Sequence, residues 1–258
     1  MNNPQIRPLP FLPALLYFGI PSVIAAIIVY VIMPLLAALG FPIFFNYLLV
    51  YATAPMLALL VASLIAYWRE GRPLTWMDIT DRFRLRRMDG RSWLWTFGLL
   101  AFMFVSAGAL SFTSRWTSSL IAPLAYWPTE LKPGGAPTAT NAAFPTEFMG
   151  VPLAGNWWIL PILLTSLVIA TLGEELWWRG YILPRQELLY GNRTWIVHGL
   201  FWAAFHLFAP WNFFAILPGC LAVSYVAQEL KNTWPGIIAH GLANGLLVLI
   251  VVVLGIFR

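Results

Sequence analysis

From Pro8 through Trp68 the chain runs for 61 residues without an Asp, Glu, Lys or Arg. A helix crosses a bilayer on about 20 apolar residues, so this stretch has room for two crossings. Comparable apolar stretches follow, which places spans at about 11–39, 43–68, 93–114, 157–184, 194–209, 211–228 and 233–257. Hydrophobic residues make up 60% of the chain and charged residues 10%, against about 45–50% and about 25% in soluble globular proteins. A soluble domain and a disordered chain are both excluded. A β-barrel would need short alternating strands, whereas these runs are continuous. The expected fold is all-α: a polytopic membrane helical bundle of about seven transmembrane helices, forming a single membrane domain over 1–258.

The net charge of +5 does not point to nucleic acid, because seven of the fifteen basic residues lie between Arg69 and Arg91 in a segment flanked by spans. Four acidic residues accompany them there. Such a basic connection belongs in the cytoplasm, and two spans before it put the N-terminus there too. Counting onward brings Arg185, Arg193, Glu229 and Lys231 to the same side and leaves 115–156, with six Pro and four Gly, outside. Arg7 precedes an uncharged run far longer than a secretory signal core, which reads as a first membrane helix. The stretch Thr75–Arg87 mixes Trp76, Met77, Ile79, Phe83 and Leu85 with Asp and Arg, the pattern of a short amphipathic helix on the cytoplasmic surface. Cys220 is the one cysteine, so there is no disulfide, no CxxC pair and no cysteine zinc site. The expected setting is the cell membrane, with lipid as a partner.

Only Glu174, Glu175 and Arg179 place charge inside a span. An ionised group at helix centre costs about 2.5 to 3.5 kcal/mol on insertion scales, so compensation is required. Glu175 and Arg179 are four apart and share a face. An ion-pair staple between helices would explain those two but leaves Glu174 over. At 1.5 Å per residue from the cytoplasmic ends at Pro184, Thr194 and Trp234, Glu174 lies roughly 15 Å deep, His206 roughly 18 Å, and His240 to Asn244 roughly 9 to 15 Å. Three helices therefore bring a carboxylate, two imidazoles and a carboxamide to similar depth. Gly241 and Gly245, with Gly173, offer close helix approach. His198, nearer the interface, reads as an interhelical hydrogen bonder.

A water-shielded carboxylate beside an imidazole is equipped to activate water for attack on an amide carbonyl. Glu174 and His206 are the candidates for that step. His240 and Asn244 are candidate donors to the oxyanion, and Glu175 with Arg179 would hold the first carboxylate in place. There is no HExxH motif and no GxSxG elbow. Glu174, His206 and His240 would also serve as a two-His-one-carboxylate Zn²⁺ site, so metal and metal-free mechanisms both stay open; the metal-free one needs no cofactor. Trp177, Trp178 and Trp202 lie at the same depth and are candidates for an apolar slot that takes a lipid tail.

These residues resemble a known family. Glu174-Glu175-Leu-Trp-Trp-Arg179 reproduces the EExxxR motif, and His240-Gly-Leu-Ala-Asn244 the HxxxN motif, of the CPBP intramembrane endopeptidases, related to the type II CAAX prenyl protease and to bacteriocin-processing and immunity proteins. The family's middle motif is FxxxH; here Trp202 stands four before His206. The likeness covers roughly Trp157 to the C-terminus, the expected catalytic core at 157–257. It implies a helical protease open to the cytoplasm, in which Glu174, His206 and His240 are catalytic and Asn244 assists the oxyanion. Family members have been described both as metalloproteases and as glutamate proteases. The implied substrates are polypeptides, among them prenylated CaaX C-termini that lose their last three residues. The alternative is a non-catalytic membrane scaffold or bacteriocin immunity protein of the same fold; a transporter is less well matched, since no discontinuous helix pair repeats in two halves.

Overall fold

Prolines and glycines divide the apolar sequence into rods. The computed structural model describes residues 6–121 and 146–258. In chain order these form α1 (Phe11–Ala38), α2 (Ile43–Arg69), α3 (Trp76–Arg82), α4 (Gly90–Ala109) and α5 (Ser111–Ile121), then a hairpin of β1 (Glu147–Phe148) and β2 (Val151–Pro152). After the hairpin come α6 (159–190), α7 (Thr194–Phe205), α8 (Phe213–Leu230) and α9 (Trp234–Ile256). The fold is a helical polytopic membrane bundle, as expected.

Among the described residues six helices are long and apolar enough to cross a membrane. The difference from the expected seven lies in one place. Residues Ile159–Phe208 form a single 50-residue helical run, which at 1.5 Å per residue would be about 75 Å long. That is too long for one crossing. It folds back at Gly191, whose φ of +52° the chain reaches cheaply only without a side chain, so α6 and α7 are separate arms of the expected fourth and fifth spans. The region expected as an outer loop starts instead with α5, and residues 122–145 of it lie outside the described residues.

Three helices contain π-helical turns: Ile28–Ile32 in α1, Asn46–Thr53 in α2 and Leu176–Ile182 in α6. Each ends two residues before a proline, namely Pro34, Pro55 and Pro184. A proline lacks the N–H that would bond the carbonyl four residues back, and its ring crowds that carbonyl. The three crowded carbonyls belong to Tyr30, Tyr51 and Gly180, all inside the wide turns. Widening the helix there gives the carbonyl room.

Helix α8 packs along α7 and α4, α9 lies against α4 and α6, and α2 crosses α6. The α2–α6 crossing is close because Gly173 has no side chain; a Cβ there would sit 2.1 Å from the Met56 carbonyl oxygen. Polar links between rods include Thr53 Oγ1 to Ser166 Oγ at 2.8 Å and Tyr30 Oη donating to the Phe208 carbonyl at 2.9 Å. Helix α3 is capped by the Thr75 hydroxyl, which accepts from the Asp78 N–H. It exposes Trp76 and Met77 and buries Arg82, the amphipathic form expected for it.

The connections expected on one side do meet at one end of the bundle. Arg84 forks onto Glu187 at 2.8 and 2.9 Å, Lys231 reaches the same carboxylate at 2.7 Å, and Arg91 pairs with Glu229 at 3.1 Å.

Candidate active site

The site begins with the local conformation of α6. Glu174 and Glu175 close its α-helical part and the π turn follows at once. Glu174 is 8% exposed, while Glu175 and Arg179 are fully buried. The four-residue spacing brings Arg179 Nη1 to Glu175 Oε1 at 3.0 Å. His240 Nδ1 donates to that same oxygen at 2.9 Å from α9. Gly236, one turn before His240, makes room for this carboxylate, since a Cβ there would lie 2.6 Å from Glu175 Oε2. With Nδ1 spent on Glu175, His240 turns Nε2 toward the Asn244 amide nitrogen, 2.9 Å away.

The second half of the site comes from the end of α7. There the helix tightens into a 3₁₀ turn, and the His206 N–H bonds to the Ala203 carbonyl. The last carbonyls of a helix lack their usual amide partners. One of them, that of Trp202, accepts from His206 Nδ1 at 2.8 Å, which leaves His206 Nε2 free. The Trp202 indole N–H donates to Glu174 Oε2 at 2.9 Å. Arg179 lies over the face of the same indole, 3.4 Å from the ring centre, a cation–π contact strengthened by desolvation. Arg179 thus bonds to Glu175 directly and reaches Glu174 through the Trp202 ring.

A cavity of about 640 Å³ is lined by Glu174, Trp202, His206, His240 and Asn244, and by Tyr51 and Met56 of α2. All four residues expected to be catalytic therefore border one space. A second cavity of about 360 Å³, almost wholly apolar, opens between α1 and α2 and shares Pro55, Met56 and Phe205 with the first. Of the three tryptophans considered for an apolar slot, Trp202 borders the first cavity and Trp177 the second. Trp178 borders neither; it is buried in a stack on Phe18 at 4.3 Å, beside Phe205. His198 donates from Nδ1 to Gln186 at 2.6 Å, joining α7 to α6 as an interhelical bond. The contribution of α2 to the cavity had no signal in the sequence, where that span is composition alone.

A metal at Glu174, His206 and His240 would need three free donor atoms turned to one point. The Nε2 of His240 instead faces the Asn244 amide. Among the described residues, no group of three His, Cys, Asp or Glu side chains is arranged to hold a metal ion.

Residues 156–246 match the family described as type II CAAX prenyl endopeptidase Rce1-like. The matched segment holds the EExxxR pair, His206 and the His240–Asn244 pair together, and this agrees with the CPBP resemblance. The match covers about a third of the chain, and that segment is similar to the Rce1-like family. The Rce1-like family is one of proteases, and its segment here spans α6 through most of α9. No curated protein and no solved structure matches the chain.

Proposed function

We propose that this chain is an intramembrane endopeptidase in which Glu174 and His206 activate a water molecule. The observation that carries this reading is the convergence of Glu174, His206, His240 and Asn244 from three helices on one cavity. Water held between Glu174 Oε1 and His206 Nε2 attacks the peptide carbonyl carbon and gives its proton to Glu174. The carbonyl oxygen becomes an oxyanion. Asn244 has a second amide N–H beyond the one at His240 to offer this oxyanion, and His240, anchored on the Glu175 carboxylate, holds that carboxamide in place. Collapse of the intermediate breaks the C–N bond, and Glu174 returns the proton to the leaving amine. The products are a carboxylate and an amine.

The family match supports a polypeptide substrate, and the substrate we propose is a prenylated CaaX C-terminus that loses its last three residues. The apolar groove between α1 and α2, which shares Pro55, Met56 and Phe205 with the first cavity, suits an isoprenyl chain. The seven basic residues between Arg69 and Arg91 support a cytoplasmic location for that end of the bundle and for the N-terminus in the cell membrane. On this reading 1–258 is one membrane domain with its catalytic core at 157–257.

The test is release of the C-terminal tripeptide from a farnesylated CaaX peptide by the purified protein, repeated with Glu174→Ala and His206→Ala. Loss of cleavage in both variants, with helical content retained, is the expected result. Undiminished cleavage in either rejects the assignment of that residue.

A further inference from the structure

Trp202 touches Glu174, Arg179, His206 and His240. Its indole N–H donates to Glu174 Oε2 and its own carbonyl accepts from His206 Nδ1. Arg179 covers one ring face, and the imidazoles of His206 and His240 meet the ring edge-on at 5.6 and 5.3 Å between centres. The side chain is 3% exposed. A buried indole needs a partner for its N–H, so packing and hydrogen bonding agree on a single orientation. That orientation occupies one carboxylate oxygen of Glu174 and leaves Oε1 with no protein donor among the described residues. Separately, the Trp202 backbone carbonyl fixes the proton of His206 on Nδ1 and leaves Nε2 as the free nitrogen among the described residues.

We propose that Trp202 is the positioning residue of the hydrolytic site, its indole N–H orienting Glu174 while its carbonyl orients His206. The proposal rests on the reading of those two residues as the water-activating pair. Trp202 carries no proton in the reaction. It sets the distance and angle between the two atoms that meet the water, which is where small displacements cost most. A phenylalanine, the residue of the family motif at this position, would keep the ring on Arg179 and the carbonyl on His206. It would leave the Glu174 carboxylate without its donor. The carbonyl half of the arrangement is therefore common to both residues, and the N–H half is particular to tryptophan.

The experiment isolates the N–H by changing little else. The full-length protein is prepared in nanodiscs with β-(3-benzothienyl)alanine at 202, which replaces the N–H by sulfur in a ring of the same shape. Trp202→Phe and 5-fluorotryptophan at 202 are made alongside, the last retaining the N–H. Turnover of a farnesylated CaaX peptide is measured for all. The sulfur analogue and Trp202→Phe are expected to lower kcat about tenfold or more with KM within about twofold, while 5-fluorotryptophan stays near the unmodified protein. A role in packing alone would spare the sulfur analogue, so full kcat in that protein overturns the proposal. If the unmodified protein cleaves no peptide, the catalytic reading falls and this proposal with it. An active unmodified protein with an unimpaired sulfur analogue removes the proposal and leaves the catalytic reading standing.

Discussion

Arg82 and Gly180 are 98 residues apart and joined by a 2.9 Å hydrogen bond from the guanidinium Nη1 to the glycine carbonyl. The bond exists because Pro184 has no N–H to offer that carbonyl. Its donor is buried in α3 and neutralised by Glu70, which accepts from Nε and Nη2 at 2.6 and 2.7 Å. Helix α3 is thereby fastened to the wide turn that follows Glu174 and Glu175.

Replacing Arg82 with methionine removes the donor to Gly180 O and leaves Glu70 with Arg72, which donates from Nε at 3.1 Å. Leaving a buried acceptor without its donor costs about 1 to 3 kcal/mol, and limited proteolysis between residues 69 and 91 should speed up accordingly. The double variant Glu70→Gln/Arg82→Met should recover part of the loss in unfolding midpoint. Equal midpoints for Arg82→Met and the unmodified protein would contradict the anchoring.

Glu175 accepts from both Arg179 and His240 on one oxygen. In Glu175→Ala the guanidinium is buried without its counter-charge, again a loss of about 3 to 5 kcal/mol. Glu175→Ala/Arg179→Met should be more stable than the single variant in detergent unfolding, yet remain inactive because His240 has lost its anchor. A single variant as stable as the parent would show the pair to be solvated.

Gly173→Ala should be destabilising by about 1 to 3 kcal/mol, the usual cost of overpacking, because its Cβ collides with the Met56 backbone. Gly98→Ala, with nothing within 4 Å of the new atom, should be neutral or slightly stabilising. Thermal unfolding of the two variants in the same micelle checks the contrast.

Span positions and the meeting of the candidate residues around one cavity were legible in the sequence because each rests on a cost. Charge is expelled from apolar helices, so the few charges left inside, at 174, 175 and 179, mark where compensation is built. Periodicity paired Glu175 with Arg179 correctly. What it did not reveal was the route from that pair to Glu174. The indole of Trp202 makes that link, and an indole reads as hydrophobic in any pattern of apolar residues. The π turns were hidden for a related reason. The prolines that provoke them were visible, but a proline in a span announces only that a hydrogen bond is missing, not which neighbour supplies the replacement. For Gly180 the replacement comes from Arg82, a residue the sequence assigned to topology.

The wide turn at Leu176–Ile182 also makes residue count part of the geometry of the candidate site. A helix advances about 100° for each residue, and this stretch holds more residues per turn than its flanks. Losing a single codon here would let it wind as an ordinary helix. The acidic pair would then turn relative to the rest of α6 and away from its present facing toward the histidines.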